Sequence, residues 1–192
     1  MGFEGAYRFG DPPWDIGRAQ PAIVRLAAEG LIEGDVIDVG CGTGENAIHL
    51  ASRGFAVVGL DAAPTAIARA QEKARLRGSS ATFVVADALA LEALGRTFDA
   101  AIDCGLFHTF EDADRVRFER SLHRVLRAGG RYALLCFSDL QPGEPGPRRV
   151  TQAEIRDTFA TGWTVDSIVP ERFAARLPGG GAHAWLAMLS RI

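Results

Sequence analysis

Cysteine is scarce in this 192-residue chain: Cys41, Cys104 and Cys136 are all it has. The number is odd and no C-x-x-C pair occurs, so neither a disulfide framework nor zinc-ligand spacing is encoded. A reduced, cytoplasmic protein with no metal centre is expected. No apolar stretch approaches the roughly 20 residues of a membrane span. The opening Met1-Gly2-Phe3-Glu4-Gly5-Ala6 holds no signal-peptide core, and Ala6 breaks the myristoylation pattern. A membrane partner is therefore not expected. Lysine is nearly absent: Lys73 is the single one, and every other strongly basic residue is arginine. That bias marks a GC-rich, bacterial coding sequence and carries no mechanism. Basic runs are missing too; Arg148-Arg149 is only a pair, and the net charge is −3. Nothing in the charge pattern calls for a nucleic-acid partner.

What is present alternates. Hydrophobic residues make up 47% of the chain, ample for a single large core, and the length points to one domain over 1–192. Short, nearly continuous apolar runs predict strands at 36–39, 55–61, 82–87, 98–103 and 132–137. Strands apolar on both faces belong in a sheet covered on both sides. Helical spacing between them predicts helices at 46–51, 66–77 and 115–126, the last ending before Gly129-Gly130. A doubly wound α/β sheet follows, with its ligand edge at the strand C-termini. Residues 1–30 read as an arm and a helix from Pro21 to about Glu29, and 35–140 as the ligand-binding core. In 141–192, Thr151-Gln152-Ala153-Glu154 is a capping box. Apolar runs at 163–169 and 184–189 then predict an antiparallel hairpin at the sheet edge.

The most telling segment is Asp38-Val39-Gly40-Cys41-Gly42-Thr43-Gly44, which joins the first strand to the first core helix. Glycine is needed where φ is positive or where a Cβ would bar a ligand. The following helix N-terminus offers amides to an anionic group. The spacing G-x-G-x-G departs from the dinucleotide fingerprint G-x-G-x-x-G, and no G-K-[ST] follows. Asp38, Asp61, Asp87 and Asp103 all stand at or near strand ends. Such an acidic edge repels phosphates. It suits S-adenosyl-L-methionine, which presents a sulfonium, an ammonium, ribose hydroxyls and an adenine amino group. The alternative is that each aspartate caps its own strand-to-helix turn.

With its flanking strands, this segment resembles the first motif of class I S-adenosylmethionine-dependent methyltransferases. The resemblance runs over about 36–137, and the later hairpin matches the family's last two strands. It implies a Rossmann-like seven-stranded sheet of order 3-2-1-4-5-7-6, with only strand 7 antiparallel. It implies that the turn, Asp38 and Gly40-Cys41-Gly42-Thr43-Gly44, lies against the methionine and ribose of the cofactor. Asp61 with Ala62 is implied at the ribose hydroxyls, Asp87 with Ala88 at the adenine, and Asp103 with Cys104 at the methionine amino group and the methyl.

The arm carries a second resemblance. Arg8-Phe9-Gly10-Asp11-Pro12-Pro13-Trp14-Asp15-Ile16-Gly17-Arg18-Ala19-Gln20-Pro21 is similar to the N-terminal segment of bacterial methyltransferases near the thiol, halide and thiopurine enzymes. That implies a lid arm, with Trp14 folding over the cofactor and Tyr7, Phe9, Trp14 and Arg18 closing a substrate pocket. Asp11-Pro12-Pro13-Trp14 also matches the catalytic motif of amino-methyltransferases acting on adenine or glutamine, but there the motif ends strand 4. Here no strand precedes it, so the match is coincidental, and nucleic-acid amino groups are not the expected acceptor.

Methyl transfer is in-line displacement at an already activated carbon, so alignment and exclusion of water are the main demands. A base helps when the nucleophile carries a proton. His108, in the segment after strand 4, is the candidate base, and Phe107, His108 and Phe137 are the candidate pocket residues beside the arm. The expected reaction is methyl transfer to O, N or S of a small aromatic or heterocyclic acceptor. A thiol, halide or metalloid-oxyanion methyltransferase and a non-catalytic S-adenosylmethionine-binding protein remain as alternatives.

Overall fold

A computed structural model describes residues 2–143 and 146–192. Strands β1 (Asp35–Val39), β2 (Ala56–Asp61), β3 (Thr82–Val85), β4 (Phe98–Cys104), β5 (Leu126–Phe137), β6 (Trp163–Ala174) and β7 (Gly181–Arg191) form one sheet. Its order is β3-β2-β1-β4-β5-β7-β6. The four pairings from β3 to β5 are parallel, and β7 runs antiparallel to both β5 and β6. The expected order and the single antiparallel strand are both present.

The continuous apolar runs have a simple cause. Side chains alternate across a strand, and this sheet has a core on each face. In β5, Ala133, Leu135 and Phe137 face one cluster, while Tyr132, Leu134 and Cys136 face the other. Helices α2 (Pro21–Ala28), α3 (Glu45–Ser52) and α4 (Pro64–Leu76) cover the first face through residues such as Ile23, Leu50 and Ile67. Helices α5 (Asp112–Val125) and α6 (Gln152–Thr158) cover the second through Phe118, Leu122 and Ile155. The capping box opens α6: the Thr151 side chain accepts from the Glu154 amide, and the Glu154 carboxylate accepts from the Thr151 amide.

Two boundaries differ from the sequence reading. Gly129-Gly130 does not end α5. The helix passes directly into β5 at Leu126, and the β4–β5 register jumps from Phe98–Leu126 to Ala100–Arg131. Gly129, at φ 77°, turns an outward bulge rather than a helix terminus. The hairpin strands are also longer than their apolar runs, because β6 is the sheet edge and carries polar residues along its open side.

The N-terminal arm is part of the fold. Helix α1 (Phe3–Arg8) contacts α4, where Glu4 accepts from the Thr65 amide at 3.1 Å. Further along, Thr43 Oγ1 donates to Asp15 at 2.7 Å and accepts from Lys73 Nζ at 2.8 Å, while Lys73 also meets Glu45 at 2.7 Å. The one lysine of the chain thus holds the Thr43 hydroxyl, which in turn ties the arm to the glycine turn. At the other end, the Gln20 side chain makes both a donated and an accepted bond with the Ala174 backbone, at 2.9 and 3.0 Å.

Gly44 shows why this turn is rich in glycine. Its φ is 82°, and a Cβ there would lie 2.6 Å from the Phe83 ring. Gly44→Ala is expected to lower unfolding stability by about 2–4 kcal/mol, from backbone strain together with overpacking. The unfolding midpoint in denaturant, compared with wild type, checks it.

Candidate functional site

At the C-terminal edge of the parallel strands lies a cavity of about 590 Å³, within the usual range of roughly 300–1,000 Å³ for small-molecule sites. One wall is made by the strand ends: Gly40 after β1, Asp61 and Ala62 after β2, Asp87 and Ala88 after β3, and Cys104 and Gly105 at β4. Tyr7 and Trp14 of the arm form the roof. Trp14 Nε1 donates to the Tyr7 hydroxyl at 2.9 Å, and the two rings meet edge to face. The far end is aromatic, with Phe110, Phe137 and Phe173 around His108. A smaller crevice of about 60 Å³ continues behind the roof, between Arg18 and the Gly40–Thr43 turn.

The turn presents its backbone to this space. Gly40 and Gly42 have φ of 72° and 53°; a Cβ on Gly40 would press on Leu106 at 2.9 Å, and one on Gly42 would reach the Tyr7 hydroxyl at 2.7 Å. Such a cradle admits no other residue. Asp61 secures it: one carboxylate oxygen accepts from the Gly42 amide at 2.9 Å, the other from the Ala63 amide at 2.8 Å. Burial raises the Asp61 pKa, and these amides oppose the rise. A carboxylate oxygen has lone pairs beyond one accepted bond, so Asp61 still has acceptor capacity toward the cavity. Asp87 caps the 3-10 turn Ala88–Leu94 through the Leu89 amide and borders the cavity beside Ala88. The backbone cradle, the acidic strand ends and the adjoining apolar end fit S-adenosylmethionine.

Several other sequence candidates do different work. Asp103 is fully buried and turned under the loop that follows β4. It accepts from the Leu106 amide at 2.7 Å, the Phe107 amide at 3.0 Å and the Tyr132 hydroxyl at 3.2 Å. Asp38 is also buried, and neither of its oxygens has a full hydrogen-bond partner. Burial, helped by the charge of Asp103, pushes it up to about 8. Asp103 is pushed up to about 7 by burial, against the pull of its donors. The three donors favour the anion at Asp103, whereas burial without such donors favours the protonated form of Asp38. Neither carboxyl borders the cavity.

Thr43 and Gly44 face away from the cavity as well, Thr43 into the arm clasp and Gly44 against Phe83. The Cys41 thiol points back to the Gly42 carbonyl and lies under the turn. Phe107 is sealed between Phe118, Phe159 and the Arg115 guanidinium in the second core, so it forms no pocket wall. Phe9 follows α1 and is 74% exposed, and Arg18 borders only the rear crevice and the outer surface. These corrections share one cause. Neighbouring positions along a loop or strand point in different directions, and spacing alone does not tell which one faces the ligand.

His108 does reach the cavity, but not as a base. Its Nδ1 accepts from the Phe137 amide at 3.0 Å, which leaves the proton on Nε2. Burial, with Arg115 and Arg149 nearby, pushes its pKa down to about 3. A ring so placed neither takes a proton at neutral pH nor has a lone pair free to do so. Sequence reasoning missed Arg149, which borders the cavity and donates to the carbonyls of Gln141 and Gly143. Beside Arg148 it read as half of a solvated pair; only the fold of the 141–150 loop reveals its place.

The buried acids predict a pH dependence. A carboxyl whose pKa is raised by folding keeps a proton that the unfolded chain releases near pH 4. Its contribution to stability is full below that pH and is lost as pH rises to about 8. Unfolding free energy of the ligand-free protein should therefore fall between pH 5 and 8, and Asp38→Asn should flatten that slope. Denaturant titrations at several pH values measure both.

A family model described as a methyltransferase domain matches residues 36–130. The chain is 39% identical to a 2-heptyl-1-hydroxyquinolin-4(1H)-one methyltransferase of Mycobacteroides abscessus, over 94% of this chain and 86% of that protein. It is 31% identical to the Arabidopsis thaliana protein named probable thiol methyltransferase 2, over 90% and 78% of the two chains. A solved structure described under the conversion of a disulfide bond into a thioacetal group during echinomycin biosynthesis is similar with a TM-score of 0.89. Identity there is 42%, covering 98% of this chain and 91% of that one.

Proposed function

The chain belongs to the S-adenosylmethionine-dependent methyltransferases, and from that premise we propose that it methylates O, N or S of a small aromatic or heterocyclic acceptor held in the aromatic end of the cavity. The observation that carries this reading is the cavity itself: an acidic, backbone-lined end at β1–β3 is continuous with an apolar end walled by Phe110, Phe137 and Phe173. The relative acting on a hydroxyquinolinone supports a flat heterocycle as the class of acceptor.

When bound, S-adenosylmethionine supplies a methyl carbon activated by a sulfonium. The chain's own work is to hold and exclude. Asp61 offers acceptor oxygens for ribose hydroxyls, with Ala62 beside it. Asp87 and Ala88 border the cavity and are the residues that the family resemblance assigns to adenine, and the Gly40–Gly42 backbone approaches where any side chain would collide. Tyr7 keeps its proton, since burial raises its pKa well above the ordinary value, and it fixes Trp14 as the roof. Burial likewise raises the Cys104 thiol, so it borders the site as a neutral group. The aromatic walls hold a ring by its faces and keep water from the methyl.

A thiol acceptor is the second reading, favoured by the thiol methyltransferase relative and by the lack of a usable base at His108. Release of S-adenosylhomocysteine over a panel of N-hydroxy heterocycles, phenols and thiols separates the two: turnover with thiols alone selects the second. Calorimetry with S-adenosylmethionine and S-adenosylhomocysteine tests the premise of binding, and no heat of binding at millimolar ligand would remove it. Asp61→Ala deletes a charged acceptor and the anchor of Gly42. Cofactor affinity is expected to fall about 10- to 100-fold, the usual worth of a hydrogen bond to a charged group. An unchanged dissociation constant takes Asp61 out of the site.

A further inference from the structure

The cavity contains ionisable groups, yet none is placed to take a proton from an acceptor beside β4. Asp61 and Asp87 stand at the ends of β2 and β3, with β1 between them and β4; strands lie about 4.8 Å apart, so both are on the far side of the site. Tyr7 and Cys104 hold their protons. Arg149 is a cation. The remaining group is His108, whose Nδ1 is filled by the Phe137 amide. Its ring is held at 4.8 Å from Phe137 and 6.1 Å from Phe173, measured between centroids, so its direction is set by packing on both sides. Gly105 borders the same space, and a Cβ there would come within 3.4 Å of His108 Cε1. Among the described residues Nε2 has no hydrogen-bond partner, which makes its N–H the free polar group of the aromatic end.

We propose that His108 binds the acceptor rather than deprotonating it, its Nε2–H donating to the nucleophilic region of a compound that is already an anion at neutral pH, an acidic hydroxyl as its oxyanion or a thiol as its thiolate. This rests on the methyltransferase reading above and narrows its substrate class. The acceptor's lone pair forms the bond to the methyl carbon, the carbon–sulfur bond of the donor breaks with its electron pair left on sulfur, and no proton changes hands. The surroundings agree with an anion. Arg149 from the 141–150 loop and Arg115 from α5 are the charged groups that act on the His108 ring, and both are positive. The rest of that end is Phe110, Phe137 and Phe173, which suit the ring to which the nucleophile is attached.

The test uses the full chain and three probes: 4-nitrophenol, phenol and thiophenol. In the complex saturated with S-adenosylhomocysteine, 4-nitrophenolate or thiophenolate should bind to wild type. His108→Leu should weaken that binding about tenfold or more, as loss of a hydrogen bond to a charged group does. His108→Gln, which restores an N–H near the position of Nε2, should recover most of it; a general base would not be rescued by an amide. The kcat/KM profile from pH 5 to 9 should follow each acceptor's own ionisation, its midpoint moving between 4-nitrophenol and phenol. Unaltered S-adenosylhomocysteine affinity in both variants shows that they fold. A shared midpoint near 6.5, the ordinary value for histidine, that disappears in His108→Gln overturns the proposal. So does wild-type binding in His108→Leu, or failure of wild type to bind either anion. Failure of wild type to bind S-adenosylhomocysteine at all would instead remove the methyltransferase reading beneath it.

Discussion

The Asp61 carboxylate is the joint on which the ligand edge depends. It stands at the end of β2, yet it accepts from Gly42, in the turn after β1, and from Ala63, at the start of α4. One side chain thereby sets the spacing of two parallel strand ends and the entry to a helix. The turn can take that course only because Gly40 and Gly42 adopt positive φ and carry no side chain toward Leu106 and Tyr7. The arm closes on the result: Tyr7 fills the space a Gly42 side chain would occupy, and Trp14 is fixed by the Tyr7 hydroxyl. Cavity wall and roof thus follow from one half-buried carboxylate meeting backbone amides.

The four aspartates at the strand ends show how environment divides a single residue type. Asp61 and Asp87 border the cavity. Asp103 is spent on the backbone of the loop after β4, and Asp38 is buried without donors. A buried carboxyl without strong donors is costly as an anion, so burial favours the acid form of Asp38, while the donors on Asp103 oppose the same effect there. That arrangement shapes the loop carrying Leu106, Phe107 and His108, because two of its amides end on Asp103. The aromatic end of the cavity is therefore positioned by an Asp103 side chain that does not itself border the cavity.

Chemistry and architecture agree at His108. Methyl transfer from a sulfonium asks for alignment and dryness before it asks for a base. The ring is locked by the Phe137 amide and two phenyl neighbours, and burial, with Arg115 and Arg149 nearby, biases it against a proton. What this end offers is a fixed donor in an apolar, positively biased pocket. In the proposed role, a locked donor selects for the electronic character of the acceptor, whereas the phenyl walls select only for its shape.

Much was legible in the sequence because it depends on local spacing. Nearly continuous apolar runs with helical spacing between them marked the sheet, and Asp38-Val39-Gly40-Cys41-Gly42-Thr43-Gly44 marked the turn; strand order and the antiparallel seventh strand followed from the family resemblance. Asp61, Asp87, Tyr7, Trp14 and Phe137, all named from the sequence, border the cavity. Other features required the tertiary structure. Phe107 and His108 are adjacent, yet one is sealed in the core and the other faces the ligand, since the loop's direction is set by Asp103 from below. Arg149 and Arg148 are adjacent, and only the first borders the site. The sequence by itself determined the class of fold and the turn, because these rest on backbone conformation and periodicity, and the family resemblance of the turn with its acidic strand ends pointed to the methyl donor. The tertiary structure alone decided which side chains face the cavity and which proton states they hold, because direction, burial and hydrogen-bond partners come from residues distant in the chain.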